Sequence, residues 1–117
     1  MPKVCAKAKR LRIYIGETDR CRQHSLFHAI VMKAKELDMA GASVFRGIEG
    51  FGAHSRVHTA RIVDLSSDLP ILVEIVDSAE YLEKLLPFLD EVMTEGMVTI
   101  DDVDVIRYGR LEPKNNG

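Results

Sequence analysis

The sequence has no tryptophan, only two cysteines and four prolines, and aromatic residues make up just 6% of it. Cys5 and Cys21 lack C-x-x-C spacing, so they read as free thiols of a reducing compartment in unstructured stretches, not as a redox or zinc pair. Long hydrophobic runs are missing as well, which argues against a membrane-spanning helix. The basic start, MPKVCAKAKR, has no apolar core region and does not read as a secretory signal, so a cytoplasmic location is expected. Charge of one sign is also lacking. Sixteen Lys and Arg face eighteen Asp and Glu for a net of -2, too little field to favour nucleic acid or an anionic membrane. No enzyme motif stands out. Neither histidine pair has a Glu at its second position, and Ser25, Ser43 and Ser55 have no nucleophile elbow around them. No catalytic residue is expected.

What is present is the composition of one soluble domain: 117 residues, 46% hydrophobic and 29% charged. The chain reads as a single domain over 1–117, with loose tails at 1–9 and 111–117. From Arg10 the residues alternate. Leu11, Ile13 and Ile15 point one way and Arg10, Arg12 and Tyr14 the other, which makes a half-buried strand ending at Gly16. Phe27, Ile30, Val31, Ala34 and Leu37 form one face of a helix from about Ser25 to Met39, stopped by Gly41. A second strand over 42–49 alternates imperfectly, which predicts a bulge near Gly47. Residues 70–77 form a third strand, apolar on both faces. Asp77-x-x-Glu80 signals a second helix, with Leu82, Leu85, Leu86, Leu89, Val92 and Met93 buried, Pro87 as a kink and Gly96 as the cap. The last strand spans 98–108, with a break expected at Asp101–Asp102.

This order is β-α-β-β-α-β, the α+β ferredoxin-like arrangement: an antiparallel four-stranded sheet with two helices on one face. The other face, with Arg12, Tyr14, Leu72 and Val76, would be bare in a monomer, so an oligomer is expected.

The candidate ligand residues centre on Phe45 to Ser55, FRGIEGFGAHS, which holds three of the eight glycines. Its G-x-x-G-x-G spacing is neither the dinucleotide fingerprint nor a P-loop, and it suits a strand running out into a loop. The polar stretch that follows is long enough to be functional or mobile, and alternation at Val57, Thr59, Arg61, Val63 and Leu65 suggests an extended arm. All four histidines lie in H-x-x-x-H pairs, His24 with His28 and His54 with His58; two ligands are too few for a structural zinc, and no metal site is assigned. Glu17 and Asp19 read as a solvated loop paired with Arg20 and Arg22. Arg107 ends an apolar strand as a permanent planar cation.

The segment GASVFRGIEGFGAHS, the polar loop after it and DLPILVEIVDSAE together resemble the PII-like signalling proteins. The resemblance runs from about Arg10 to Arg110. Its most specific pieces are Gly50-Phe51-Gly52, Leu69-Pro70 and the terminal VDVIRYG. It implies a trimer whose sheets face a central axis, and a mobile loop over 52–68 that signals to a partner protein. It also implies a small effector, most plainly an adenine nucleotide (ADP, ATP or AMP), held in the cleft between subunits by Ser43, Gly50, Phe51, Gly52 and Arg107. The sequence departs from the nitrogen regulators in two places. The connection EGMVTIDDVDV is acidic and carries no lysine, and the loop has no tyrosine for modification. A branch distinct from the nitrogen-regulatory PII proteins is therefore expected. A trimeric divalent-metal binder is the second reading, and a small ferredoxin-like enzyme working on the open sheet face is the third.

Overall fold

The computed structural model describes residues 6–52, 58–59 and 68–107, of which 58–59 by backbone alone. Expectations for the two chain ends beyond these limits and for the rest of the loop lie outside the described residues. The elements in order are β1 (Ala6–Gly16), β2 (Arg20–Cys21), β3 (His24–Ser25), α1 (Leu26–Glu36), β4 (Ser43–Arg46), β5 (Glu49–Gly50), β6 (His58–Thr59), β7 (Pro70–Asp77), α2 (Ala79–Glu83), α3 (Leu86–Val92) and β8 (Met97–Val105). The main sheet has four strands in the order β4-β7-β1-β8, all pairs antiparallel. This is the expected ferredoxin-like order, with the helices on one face.

The core lies between that face and the helices. Leu11, Ile13 and Ile15 of β1 and Ile71, Val73 and Ile75 of β7 are buried against Leu26, Ile30 and Ala34 of α1 and against Leu82, Leu85 and Leu89. Alternation on the strands and the 3.6-residue period on the helices select these positions. The helix α1 ends earlier than Gly41. Asp38 takes the left-handed conformation (φ 60°), while Met39 N–H donates to the Ala34 carbonyl at 3.0 Å and Asp38 N–H to Lys35 at 3.1 Å. This pair of bonds is a Schellman cap, and aspartate tolerates the conformation well enough to replace glycine there.

The second helical stretch splits, as Pro87 predicts, into α2 and α3, with Pro87 in the first turn of α3 where a missing N–H costs nothing. The buried stripe runs Leu82, Leu85 and Leu89 with Val92 and Met93 beside it, and Leu86, 38% exposed, falls outside it. The N-cap is Ser78, one residue later than the sequence signal. Its Oγ accepts from Tyr81 N–H, while Asp77 accepts from Ser78 N–H at 2.7 Å and from Ala40 N–H at 2.8 Å. Asp77 thereby ties the exit of α1 to the start of α2.

Two strand boundaries differ from expectation for one electrostatic reason. The strand β1 starts at Ala6, and β8 runs unbroken through Asp101 and Asp102. Across this ladder Lys7 meets Asp104 at 3.0 Å, Lys9 meets Asp102, and Arg10 meets Asp101 at 2.6 Å. Cross-strand ion pairs support the register here where apolar alternation is absent.

The open face carries two rows across the sheet. In one, Phe45, Leu72, Tyr14 and Met97 lie in register, and Phe45 and Met97 are more than half exposed. In the next, Ser43, Glu74, Arg12 and Thr99 are aligned, and Arg12 donates to Glu74 at 3.0 Å.

The hydrogen bond from the Arg10 guanidinium holds the Asp101 carboxyl below its ordinary value, against a smaller opposing effect of desolvation. A depressed folded pKa gives stability that is complete above the unfolded value, near pH 4, and lost as pH falls through the folded one. Asp101→Asn should therefore flatten the acid limb of the stability curve below about pH 4, measured as melting temperature against pH. Leu82→Ala, which empties a fully buried site, should cost about 2–5 kcal/mol in denaturant unfolding.

Candidate functional site

At the end of the sheet where β1 stops, four segments converge: 14–16, 50–52, 68–71 and 95–97. They enclose a groove of about 430 Å³. Backbone contacts that only glycine permits bring them together. Gly96 sits at φ 113°, and a Cβ there would lie 2.5 Å from the Tyr14 carbonyl oxygen. The connection into β8 can press on the end of β1 only because this residue has no side chain. Gly96 therefore acts as a close-approach residue, not as the expected helix cap; the helix cap is Met93.

The glycine-rich stretch divides into two kinds of position. A Cβ at Gly47 would stand 2.7 Å from Pro70 Cγ, and one at Gly50 would stand 3.0 Å from it. Gly47 N–H also donates to the Pro70 carbonyl at 2.7 Å. The strand expected over 42–49 ends at Arg46, ahead of the bulge expected near Gly47; the chain there wraps Pro70 and enters the short β5–β6 ladder of 49–50 with 58–59. Packing explains Gly47 and Gly50. At Gly52 an added Cβ would meet nothing within 4 Å, so the fold described here gives no reason for that glycine. Phe51, between them, is 67% exposed at the groove mouth.

Polar groups brace the groove. The Asp19 carboxylate accepts from Gly16 N–H at 2.9 Å, and that of Asp68 accepts from Thr18 N–H at 2.9 Å. Glu17 pairs with Arg46 at 2.8 Å, not with the arginines adjacent in sequence. Both carboxylates of the Glu17–Asp19 pair thus hold the turn after β1 in place.

Gly50, Phe51 and Gly52 meet in one place, as the sequence suggests. Ser43 and Arg107 are elsewhere in the chain. Ser43 opens β4 in register with Glu74, on the open face and outside the groove. Arg107 lies beyond the far end of β8, whose Met97 is opposite Tyr14 and whose Val105 is opposite Ala6. At about 3.3 Å per residue the nine residues of β8 span roughly 30 Å. No single chain brings Arg107 to Gly52.

Sequence reasoning misses Tyr14, Gly96 and Met97 as groove residues. Alternation assigns Tyr14 to the open face, and the Glu-Gly-Met junction between a helix and a strand is the only other signal. Cys21 lies in the β2–β3 ladder and packs partly buried against the core, where an unstructured stretch was expected. Among the described residues no three His, Cys, Asp or Glu side chains converge. No described helix is long and apolar enough to cross a membrane.

This architecture defines a PII-like fold. It superposes on CPII, a nitrogen regulatory PII-like protein from Thiomonas intermedia K12 bound to ADP, AMP and bicarbonate, with a TM-score of 0.63 at 18% identity, over 87% of this chain and 91% of that one. A putative PII-like signaling protein from Thermus thermophilus matches with a TM-score of 0.63 at 21% identity, over 86% and 90% of the two chains. The chain itself belongs to the DUF190 family, described as "Uncharacterized ACR", whose model matches residues 8–105. A UPF0166 protein of Aquifex aeolicus is 34% identical over 102 residues, covering 86% of this chain and 94% of that protein. Another from Methanocaldococcus jannaschii is 35% identical over the same shares. The stretch EGMVTIDDVDV, expected as a connection, is for the most part β8 itself, which carries Asp101, Asp102 and Asp104.

The two kinds of glycine make a direct prediction. Gly96→Ala should lower stability by more than about 1 kcal/mol, because both its φ and the Tyr14 carbonyl oppose a side chain. Gly52→Ala should leave the melting temperature unchanged. Equal melting temperatures for the two variants would contradict the packing described for the groove.

Proposed function

We propose that this chain is a PII-like regulatory protein, not an enzyme. In this reading it binds an adenine nucleotide in a cleft between the subunits of a trimer. The observation that carries the reading is the groove at the base of the 52–68 stretch, on a fold shared with a protein solved with ADP and AMP. Phe51 and Tyr14 offer apolar surface for a base, and Gly52 leaves its backbone open to a phosphate or ribose oxygen.

Arg107 serves the same cleft from the neighbouring subunit. The length of β8 supports a neighbouring chain over its own, and a planar guanidinium at a strand end suits phosphate. Ser43 belongs to the same intersubunit surface, on the open face. The trimer reading is supported by that face, whose apolar row Phe45–Leu72–Tyr14–Met97 has no partner among the described residues. Ligand binding then signals through the loop over 52–68, which docks on or leaves a partner protein in the cytoplasm. With no lysine in the connection before β8, one arginine carries most of the phosphate attraction, and AMP or ADP suits the cleft as well as ATP.

Sedimentation equilibrium at micromolar concentration should give three chains per particle, and a stable monomer would remove the cleft. Isothermal titration with AMP, ADP and ATP, magnesium present, should show binding tighter than millimolar. Arg107→Ala should weaken it by roughly 1.5–3 kcal/mol, the worth of a charge-assisted hydrogen bond. The reading is wrong if none of the three nucleotides binds.

A further inference from the structure

Away from the groove, the structure brings two imidazoles together. His24 belongs to β3 and His28 to α1, and their ring centroids are 5.7 Å apart with the planes tilted by 48°. Both side chains are exposed. Two rings that share one zinc ion through nitrogen, at bonds of about 2.0–2.1 Å and a near-tetrahedral angle, have centres roughly 5 Å apart. The observed pair is within a small side-chain adjustment of that geometry. We infer that His24 and His28 form an exchangeable site for one borderline transition-metal ion, of the Cu²⁺ or Zn²⁺ class.

The backbone on either side of the pair is held rigidly, which limits the ordering cost of binding. The tip of the hairpin that carries His24 is closed by a hydrogen bond from the Arg20 guanidinium to the Gln23 carbonyl at 2.7 Å. Its return is fixed by Leu26 N–H donating to the Asp19 carbonyl at 2.7 Å. His28 stands between Leu26 and Ile30, both buried in the core. The spacing of the two backbone positions is therefore set by the fold, and only side-chain rotation is left to bring the rings onto one ion.

Electrostatics then decides which ions fit. Arg20 and Arg22 share the hairpin with His24, and among the described residues no third His, Cys, Asp or Glu joins the pair. A hard dication such as Mg²⁺ or Ca²⁺ needs several anionic oxygen ligands together, and although Glu36 and Glu91 border the same hollow as His24, no such set of described residues converges on the pair. Cu²⁺ and Zn²⁺ bond to neutral imidazole strongly enough to tolerate the two arginines. With two protein ligands the remaining positions stay open to water or to a donor from another molecule, so the ion exchanges freely and is not a structural fixture. This site does not depend on the nucleotide reading.

The test is isothermal titration of the full chain at neutral pH with Cu²⁺, Zn²⁺ and Mg²⁺. Wild type is compared with His24→Ala, His28→Ala and the double variant His54→Ala/His58→Ala, which controls for the other histidine pair. The expected result is one Cu²⁺ per chain in the micromolar range, bound more tightly than Zn²⁺, with no heat from Mg²⁺. His24→Ala and His28→Ala should each weaken Cu²⁺ roughly tenfold or more, and the His54/His58 variant should match wild type. Electron paramagnetic resonance of the copper complex should show two coordinated ring nitrogens in wild type and one in each single variant. Binding no tighter than millimolar, binding unchanged by His24→Ala or His28→Ala, or binding lost in the His54/His58 variant would each overturn the inference.

Discussion

The antiparallel pairing of β1 with β7 is the constraint on which the rest of the molecule depends. These are the two central strands, in register from Lys9–Asp77 to Gly16–Pro70. Their inward residues form the floor on which all three helices pack, and burying those side chains is the main favourable term in folding. The same register places Tyr14 opposite Leu72 and so lays out the apolar row on the other face. It also sets Pro70 at the sheet end, level with Gly16. Pro70 lacks an N–H and begins its strand without loss, and its carbonyl and ring anchor the glycine turn that leaves β4. The groove is thus a consequence of where the central ladder ends.

The helices and the edges follow different physics. The helices are short, α2 having five residues and α3 seven, too few to persist on propensity alone, so tertiary packing of Leu82, Leu85 and Leu89 holds them. The outer half of the β1–β8 ribbon has almost no core beneath it. There the ladder relies on Lys7, Lys9 and Arg10 facing Asp104, Asp102 and Asp101. Exposed pairs of this kind contribute little each, but opposite charges directly across a ladder penalise a slipped register. This arrangement keeps the strand in place while leaving its outer edge charged.

The proposed nucleotide cleft and the proposed metal site occupy different parts of the molecule and use different chemistry. The cleft offers apolar surface, open backbone and a distant arginine that only another subunit can deliver. The histidine pair offers ring-nitrogen donors on the hairpin and the first turn of α1. In these two proposals one site takes phosphate esters and the other soft or borderline cations, so the two would be loaded independently.

The order of the main strands and helices, the inward residues of β1 and β7 and the break at Pro87 were all legible in the sequence, whereas near Gly47 the strand ends where a bulge was expected. Each is written in a local period or in a residue with one strong backbone preference, and such signals need no knowledge of distant neighbours. The sequence also marked Gly50, Phe51 and Gly52, because a cluster of glycines is locally conspicuous. The tertiary structure alone decided which glycine serves packing and which stands free, since that depends on Pro70, a residue some twenty positions later in the chain. Tertiary structure likewise turned Gly96 into a contact with β1, and it kept β8 whole across Asp101 and Asp102. The Asp38 stop is closed by bonds within its own last turn, but at Gly96 and along β8 the deciding atoms come from β1, far away in sequence, and a pattern read along the chain carries no record of what packs across it.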